Sequence, residues 1–404
     1  MKRFLAISSD GHAGPQPQHY RPYVDAKYRD VFDQALKVQI EQTREAEKMF
    51  LIADINEKWR EGHEYELTGA WDHDARLKVC DDDGVAAEVL FPDGITEMNS
   101  PPFGAGLGLP TKDVDPELQW AGARAHNRWL AEFCQMAPER RCGVAVVPLM
   151  WDIDEAIKEA RWAREQGMRS VMIPVLWNDH PPYNDPCYDP FWAVCEDLGL
   201  VVNYHSGPAP QEEYFGTWPP KQGEEMRRGG MGCYLSEVLW FVARPLTFLI
   251  WGGVFEKFPK LKVSTTEGMA DWVPHQLGIW DWHYEHSANE QKLGDYVSHL
   301  TMKPSEYFRR NVRVGSMVTR KEALDRENIG IKSFMWGTDY PHPEGTWPTT
   351  DVKVDTAFEG LPEDDIANIL GINAAEWYDF DVEKLAPIVD RIGPTSDRFE
   401  GPAA

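Results

Sequence analysis

Short runs of apolar and β-branched residues alternate with longer segments of helical periodicity along most of the chain. Each run is four to six residues long, and most are apolar at successive positions. This pattern is typical of strands that are buried on both faces of a parallel sheet. The predicted strands are Phe4–Ser9, Ala87–Phe91, Gly143–Pro148, Ser170–Pro174, Leu200–Tyr204, Leu261–Thr265, Asn311–Gly315 and Phe334–Gly337.

Helical segments separate these strands, and several of them end just before a glycine. The predicted helices are Leu118–Met136, Ile153–Gln166, Phe191–Leu198, Asp271–Tyr284 and Ala357–Leu370. Eight strands that alternate with helices are typical of an α/β fold in which a single (β/α)8 barrel forms one domain, here residues 1–404. A doubly wound open sheet is the alternative, but the sequence has no glycine-rich phosphate loop that would favour it.

Two connections are too long to be simple turns: residues 13–80 after the first strand and residues 206–245 after the fifth. Loops that follow the strands of a barrel lie at its catalytic face, where long loops form lids or substrate walls. The second insertion contains Tyr214, Phe215 and Trp218, which predict an apolar or flat substrate. The alternative is a loop that packs on the barrel rim or on a second subunit.

The balance of charge narrows the range of partners. The 404 residues include 41 Lys and Arg against 66 Asp and Glu, which gives a formal net charge of −25. Neither nucleic acid nor an anionic membrane offers such a surface a counter-charge, so we expect a small-molecule substrate, no nucleic acid and no membrane. Hydrophobic residues make up 42% of the chain, which is enough for a large core.

The compartment is predicted from features that the sequence lacks. The first ten residues hold too short an apolar run for a signal peptide, and Leu235–Phe255 is interrupted by charged residues and a proline. Six cysteines occur without a Cys-x-x-Cys pair and are expected to be reduced thiols. We therefore expect a cytoplasmic protein and, on general frequency, a homodimer. The segment from Gly393 to Ala404 is expected to be either a tail or a strap onto a neighbouring subunit.

Polar residues of the metal-binding type follow four of the predicted strands. Asp10 and His12 follow the first strand, and their spacing of two places both side chains on one face of an extended backbone. His205 ends the fifth strand, Glu267 follows the sixth and Asp339 follows the eighth. Because the carboxyl ends of barrel strands converge on one mouth, these residues predict a divalent metal site with open positions for water.

Each of these residues also has an ordinary structural interpretation. A buried histidine is often a hydrogen-bonded core residue, and a glutamate before a glycine is often found at the start of a helix. The coincidence of such residues on four strands favours the metal site, provided that the strand register is right. A bound metal would lower the pKa of water and polarise a substrate carbonyl.

Further side chains are candidates for substrate binding. His73 precedes the second strand and either faces the pocket or lies at the surface. Arg76 begins a helical pattern and is either an anion-binding residue or a surface salt-bridge partner. The full set of predicted substrate-binding residues is Trp71, His73, Arg76, Tyr214, Phe215, Trp218 and His342.

Motifs at the same positions resemble a known family over nearly the whole chain. The matching segments are Ile7–His12, Trp71–Asp72, Arg76–Leu77, Asp83–Pro92, Asn127–Leu130, Pro138–Arg140, Tyr204–Gly207, Gly252–Pro259, Leu261–Lys262 and Trp336–Pro343. They resemble the amidohydrolase superfamily, in the branch that includes aminocarboxymuconate-semialdehyde decarboxylase and γ-resorcylate decarboxylase. The segment around Asp339 is the most specific of them.

The resemblance implies a (β/α)8 barrel with a divalent metal held by Asp10, His12, His205 and Asp339. We expect one or two ions per chain, Zn²⁺, Mn²⁺ or Fe²⁺. It also implies that Asp339 takes a proton from metal-bound water in hydrolytic members. Asp10 departs from the many members that have histidine or glutamate there, and its carboxylate favours Mn²⁺ or Fe²⁺ as much as Zn²⁺. Glu267 stands where the named decarboxylases have a proton-donating histidine, and it could be a general acid/base or a ligand of a second metal.

Two reactions fit these residues. The first prediction is a metal-dependent hydrolase, in which a metal-activated water attacks an ester, thioester, amide or lactone carbonyl, with Asp339, Glu267 and His205 in the catalytic roles. The alternative is a metal-dependent nonoxidative decarboxylase of an aromatic or unsaturated carboxylic acid. The aromatic loop favours this alternative, and the absence of a histidine after the sixth strand opposes it. A third hypothesis is a barrel that only binds ligands, which would hold metal without turnover.

Overall fold

The structure, a computed structural model, describes residues 2–50, 53–92, 100–106, 115–177, 179–206, 229, 232–233, 236–237, 241–286 and 293–400. An eight-stranded parallel sheet forms its centre, with the strands paired in chain order. The strands are β1 (Ile7–Ala13), β2 (Ala87–Pro92), β3 (Arg141–Val146), β4 (Ser170–Met172), β5 (Val201–His205), β6 (Lys262–Thr266), β7 (Val312–Ser316) and β8 (Phe334–Trp336).

The sheet curls into a nearly closed barrel. Gly11 in β1 forms a parallel bridge with Tyr340, which lies just after β8. The backbone N–H of His12 donates to Tyr340 O at 2.7 Å, and the N–H of Asp339 donates to Asp10 O at 2.9 Å. Since helices alternate with the strands, the predicted (β/α)8 fold is confirmed.

Helices surround the barrel. They are α1 (Arg29–Phe50), α2 (Ala53–Gly62), α3 (Glu64–Leu67), α4 (His73–Asp82), α5 (Pro116–Gln135), α6 (Ile153–Glu165), α7 (Asp189–Leu198), α8 (Arg244–Trp251), α9 (Val254–Lys257), α10 (Val273–His286), α11 (Pro304–Asn311), α12 (Arg320–Leu324), α13 (Arg326–Ile329), α14 (Thr350–Phe358), α15 (Glu363–Ala367), α16 (Asn373–Tyr378) and α17 (Val382–Ile392). In the described part of the chain, none of the helices is both long and apolar enough to cross a lipid bilayer.

Alternate residues of each strand divide the core into two layers. Val89 and Val144 belong to the cluster inside the barrel, where Trp377 and Tyr378 of α16 also pack. Leu90, the next residue of β2, belongs to the layer between the strands and the helices. This alternation means that the side chains at the carboxyl ends of the strands also divide between the mouth of the barrel and the layer behind its wall.

The predicted helix Ala357–Leu370 is wrong as a single element. Helix α14 ends at Phe358, and α15 begins only at Glu363. Gly360 has a φ of +70°, which a helix cannot contain, and Pro362 stands at the N-cap of α15. The apolar periodicity continues across this break, which is why the sequence pattern did not reveal it.

The two long insertions differ in how much of them the structure describes. Residues 13–80 contain helices α1 to α3 and the start of α4, which leads into β2. Most of residues 206–245, including Tyr214, Phe215 and Trp218, lie outside the described residues. The C-terminal segment packs on its own chain, because the N–H of Phe4 donates to Pro394 O at 2.8 Å and Phe399 contacts the Phe4 ring.

The seam between β1 and β8 permits no side chain at Gly337. A Cβ added there would lie 2.7 Å from Asp10 Cβ and 3.1 Å from Asp10 N, closer than such atoms approach in proteins. Glycine therefore sets the distance between the two segments that carry Asp10 and Asp339.

We expect Gly337→Ala to lower the free energy of unfolding by about 1–3 kcal/mol, since the added methyl group overpacks the seam. Gly278→Ala is the matched control. Gly278 lies inside α10 with nothing within 4 Å of an added Cβ, so the substitution should stabilise the helix by up to about 1 kcal/mol. Urea unfolding of both variants measures the difference, and equal effects would contradict the close approach at Gly337.

A half-buried carboxyl group connects α4 to α14. Asp83 follows α4, and its Oδ2 accepts a hydrogen bond from Thr350 Oγ1 at 2.6 Å. Burial raises the pKa of Asp83 to about 6, helped by the nearby charges of Asp351 and Asp82, although the bond from Thr350 opposes the shift. The folded protein therefore holds this proton more tightly than the unfolded chain does.

A raised carboxyl pKa makes the wild-type protein lose stability as the pH rises from about 4 to about 6. Asparagine at position 83 cannot ionise and can still accept the bond from Thr350. We expect Asp83→Asn to become more stable relative to the wild type by about 1–2 kcal/mol between pH 4 and pH 7. Thermal unfolding at the two pH values measures this change, and a difference that is independent of pH would refute it.

Candidate metal centre

The end of β1 carries two of the predicted ligands. Ser8 pairs with Glu88 and Gly11 with Leu90, so β1 contains one more residue than β2 over this stretch. This bulge bends the strand and sets the direction of the residues that follow. Asp10 and His12 both point into the barrel mouth and are completely buried.

Residues from three other strand ends meet this pair. Asp10 Oδ1 lies 3.3 Å from His205 Nε2 and 3.5 Å from His12 Nε2. His12 Nε2 lies 3.1 Å from Asp339 Oδ1, and His205 Nε2 lies 3.4 Å from Glu267 Oε2. Ligand atoms that each lie about 2.0–2.2 Å from one ion are about 3–3.5 Å apart, so these separations suit metal coordination.

Several buried polar atoms in the cluster lack hydrogen-bond partners among the described residues. They are Asp10 Oδ2, His12 Nε2 and both carboxylate oxygens of Asp339. Buried polar atoms without partners are rare in folded proteins and often indicate a ligand or an ion. The donor set of carboxylate oxygens and imidazole nitrogens suits a divalent transition metal.

Backbone carbonyls orient the two imidazoles. His12 Nδ1 lies 2.9 Å from Pro92 O, and His205 Nδ1 lies 2.9 Å from Ser206 O. Each Nδ1 therefore carries a hydrogen and donates it to a carbonyl, so that Nε2 faces the cluster and can bind a metal once it carries no proton. This outer hydrogen bond is the usual way in which a protein fixes a metal-binding histidine.

The two acidic residues that follow β6 and β8 have unusual backbone conformations. Glu267 has a φ of +54° and Asp339 a φ of +58°, in the left-handed region that residues other than glycine rarely adopt. The N–H of Glu267 donates to Gly315 O at 3.2 Å, which holds the turn against β7. Strained residues of this kind concentrate at functional sites, where the surrounding structure enforces them.

The carboxyl groups of the cluster differ in the direction of their pKa shifts. Burial raises the pKa of Glu267 well above its ordinary value, and the charges of Asp339 and Asp10 raise it further. Burial also opposes ionisation of Asp339, but His342 and His12 outweigh it and lower the pKa of Asp339. Hydrogen bonds and charges of His12 and His205 lower the pKa of Asp10 in the same way.

His12 shows the complementary shift. Burial and the charge of His342 lower the pKa of His12, but its close contacts with Asp10 and Asp339 outweigh them and raise the pKa to about 9. A protonated His12 therefore balances the two ionised aspartates in the absence of a metal. A metal ion that binds here has to displace this proton.

His342 belongs to the cluster, although the sequence predicted it only as a substrate-binding residue. Its ring stacks on that of His12 with centroids 4.0 Å apart, and its Nδ1 lies 2.9 Å from Asp339 Oδ1. The possible ligands form two overlapping groups, Asp10, His12, His205 and Glu267 in one, and His12, Glu267, Asp339 and His342 in the other.

Phe91 is a neighbour of the cluster that the sequence analysis missed. It lies at the end of β2, with its ring centroid 4.7 Å from that of His205 and 6.2 Å from that of His12. Its position at the carboxyl end of a predicted strand could have indicated that it borders the barrel mouth. The ring gives the cluster an apolar neighbour on the β2 side.

Three predicted substrate-binding residues lie elsewhere. Trp71 is half-buried and packs against the main core, and His73 Nδ1 lies 3.2 Å from Arg141 Nη1. Arg76 is neither at the surface nor in the pocket, since it is completely buried and paired with Glu88. The structure does not bring any of the three to the metal cluster.

Comparisons with known proteins show the family to which the chain belongs. A family model described as amidohydrolase matches residues 100–380. The chain is 26% identical over 326 residues to 2-amino-3-carboxymuconate-6-semialdehyde decarboxylase of Dictyostelium discoideum, covering 78% of this chain and 79% of the relative. It is 24% identical over 289 residues to gamma-resorcylate decarboxylase of Rhodococcus jostii (strain RHA1), covering 66% of this chain and 77% of the relative.

A solved structure shares the fold. It is a dihydroxybenzoic acid decarboxylase from Polaromonas sp. JS666 with bound manganese and the inhibitor 2-nitroresorcinol. It matches with a TM-score of 0.60 and 17% identity, covering 93% of this chain and 97% of that chain. The family model over residues 100–380 confirms the family resemblance recognised in the sequence.

We expect the metal-free protein to bind a divalent ion and His205→Asn to weaken that binding by more than about 100-fold, because it removes a nitrogen from the centre of the cluster. His73→Asn is the matched control, since His73 is a histidine outside the cluster. Titration calorimetry with Mn²⁺ measures both affinities. Equal affinities in the two variants, or no binding by the wild type, would disprove the metal centre.

Proposed function

Because the chain belongs to the amidohydrolase family, we propose that it is a metal-dependent nonoxidative decarboxylase of a small aromatic carboxylic acid. Two relatives found by sequence are decarboxylases, which favours this reaction over the hydrolysis predicted first. The observation that carries the proposal is the position of Glu267. Its Oε2 lies 3.4 Å from His205 Nε2, and 21% of its side chain remains exposed, so that a substrate can reach it. In the absence of a metal, burial also raises its pKa well above the ordinary value.

Asp10, His12, His205 and Asp339 would hold the ion. The ionised aspartates supply negative charge, and the imidazoles present Nε2. A single Mn²⁺ suits this mixture of oxygen and nitrogen donors, and the solved dihydroxybenzoic acid decarboxylase contains manganese. When bound, the ion would anchor the substrate carboxylate and a neighbouring hydroxyl group and attract their negative charge.

Glu267 donates the proton that decarboxylation requires. Its Oε2 lies 3.4 Å from His205 Nε2, at the edge of the ligand set. The proton goes to the ring carbon that bears the carboxylate, the bond between this carbon and the carboxylate breaks, and its electron pair restores the ring as CO₂ leaves. Glu267 then regains a proton from water. A carboxyl group whose pKa is raised by burial is suited to this role.

Aromatic packing favours a flat substrate. Phe91 borders the cluster beside His205, where its ring can contact a substrate ring edge to face or with an offset. The relatives' names also refer to aromatic or unsaturated acids, γ-resorcylate among them. We therefore propose hydroxybenzoate-type acids as the substrate class.

We expect the Mn²⁺-loaded protein to release CO₂ from 2,6-dihydroxybenzoate or a related hydroxybenzoate, and Glu267→Gln to lower kcat by about 100-fold or more, because glutamine cannot donate the proton. Product formed in D₂O should carry deuterium at the carbon that lost CO₂. Headspace analysis for CO₂ and mass spectrometry of the product measure these outcomes. Glu344→Gln is the control, since Glu344 is an exposed carboxyl group two residues from His342.

Hydrolysis is the second candidate, and one observation favours it. Glu267 belongs to both overlapping groups of possible ligands, as a residue that holds a second ion would. In that case Glu267→Gln would lose one of two ions per chain, and the wild type would cleave an ester or a lactone without releasing CO₂. Under the decarboxylase proposal the same variant keeps its one Mn²⁺ with little change in affinity.

A further inference from the structure

A buried arginine lies directly behind the metal cluster. A Cβ added to Gly11 would lie 3.0 Å from Arg76 Nη2 and 3.5 Å from Glu88 Oε2. Gly11 stands between Asp10 and His12 in β1, so its Cβ would point away from the barrel mouth. Arg76 of α4 and Glu88 of β2 therefore occupy the layer behind the strand that presents Asp10 and His12.

Arg76 and Glu88 form a forked ion pair. Arg76 Nε lies 2.9 Å from Glu88 Oε2, and Arg76 Nη2 lies 2.6 Å from the same oxygen. Burial raises the pKa of Glu88, but the charge and hydrogen bonds of Arg76 outweigh it and lower the pKa, so the pair is ionised. Arg76 is completely buried and Glu88 is 4% exposed.

The same guanidinium group also contacts two of the segments that carry metal ligands, β1 and the residues after β8. Its Nη1 donates to His12 O at 2.6 Å. Its carbon lies 4.6 Å from the centre of the Tyr340 ring, a cation–π contact, and Tyr340 directly follows Asp339. The backbone of His12 and that of Tyr340 are joined by a hydrogen bond at 2.7 Å. Arg76 thus supports this junction from the side opposite to the metal cluster.

Stability alone does not explain such a pair, because the cost of burying two charges is often as large as their attraction. A buried ion pair that fixes one geometry can instead serve specificity. We propose that the Arg76–Glu88 pair is a positioning device that holds His12 and Asp339 at the separation that metal coordination needs. Its contribution is to metal affinity and coordination geometry, and neither residue touches the ion or the substrate.

Arg76→Lys tests this proposal. Lysine keeps the positive charge but has no planar fork with which to contact Glu88, His12 O and the Tyr340 ring together. We expect the Kd for Mn²⁺ to rise by about 10–100-fold, as for other outer partners of metal ligands. The visible absorption bands of the Co²⁺-substituted protein should shift, because the ligand geometry changes. Calorimetry and absorption spectroscopy measure the two effects.

Arg140→Lys is the matched control. Arg140 is also a buried arginine beside β2, but it donates to Val85 O and Ala86 O, each at 2.9 Å, before the strand begins, at the end remote from the cluster. A merely structural arginine should lower the melting temperature without changing the Kd for Mn²⁺. We therefore expect both variants to be less stable and only Arg76→Lys to bind Mn²⁺ more weakly.

If Arg76→Lys does not fold, Glu88→Gln tests the positioning role of the ion pair. It keeps the size of the side chain, removes the charge that anchors Arg76, and should raise the Kd for Mn²⁺ by about tenfold. A wild-type Kd and an unshifted Co²⁺ spectrum in every variant that folds would overturn the proposal. The proposal rests on the metal site of the proposed function, but metal binding is measured without turnover. A wild type that binds Mn²⁺ without decarboxylating would therefore count against the reaction alone.

Discussion

The burial of several carboxylates in one place is the constraint on which the rest of the site depends. Asp10 and Asp339 are completely buried, and three of their oxygens have no hydrogen-bond partner among the described residues. Such charges are costly unless protons or a cation balance them. In the absence of an ion, the two groups with raised pKa values, His12 and Glu267, hold the protons. The same excess of negative charge therefore favours a divalent cation and keeps an acid beside it.

The closed barrel makes this concentration of charge possible. The interacting residues are far apart in the sequence, and the bridge between Gly11 of β1 and Tyr340, just after β8, brings Asp339 Oδ1 within 3.1 Å of His12 Nε2. The contacts that hold the seam are backbone hydrogen bonds and the close approach at Gly337. They lie in β1 on one side and directly after β8 on the other, so that the ligands stand at the ends of rigid strands, as precise ligand placement requires. The carbonyl oxygens of Pro92 and Ser206 then orient the imidazoles, so that the backbone also selects the nitrogen that faces the cluster.

The sequence was sufficient to predict the features that depend on the periodicity of apolar and polar residues. The apolar runs predicted the eight strands, and the position of Asp10, His12, His205, Glu267 and Asp339 after strands predicted their convergence. Features that depend on long-range contacts could not be predicted. The bulge in β1 and the left-handed backbone at Glu267 leave no pattern in the local sequence. Arg76 lies in a segment whose sequence has an amphipathic helical pattern. Its partner Glu88 is the charged residue of an otherwise apolar strand, and only the three-dimensional fold brings the two together.

The replacement of a histidine by Glu267 changes the charge that proton transfer leaves behind. The decarboxylases that the chain resembles are expected to have a histidine after the sixth strand, and an imidazolium changes from positive to neutral when it gives up its proton. A carboxyl group changes from neutral to negative. The new charge appears 3.4 Å from His205 Nε2, beside the ligand set, where a divalent cation would stabilise it strongly. The ion itself would thus favour proton donation by Glu267. Before donation the carboxyl group is neutral, so it adds no negative charge that would repel an anionic substrate. On this argument, a glutamic acid at this position is compatible with decarboxylation as long as the site holds its cation.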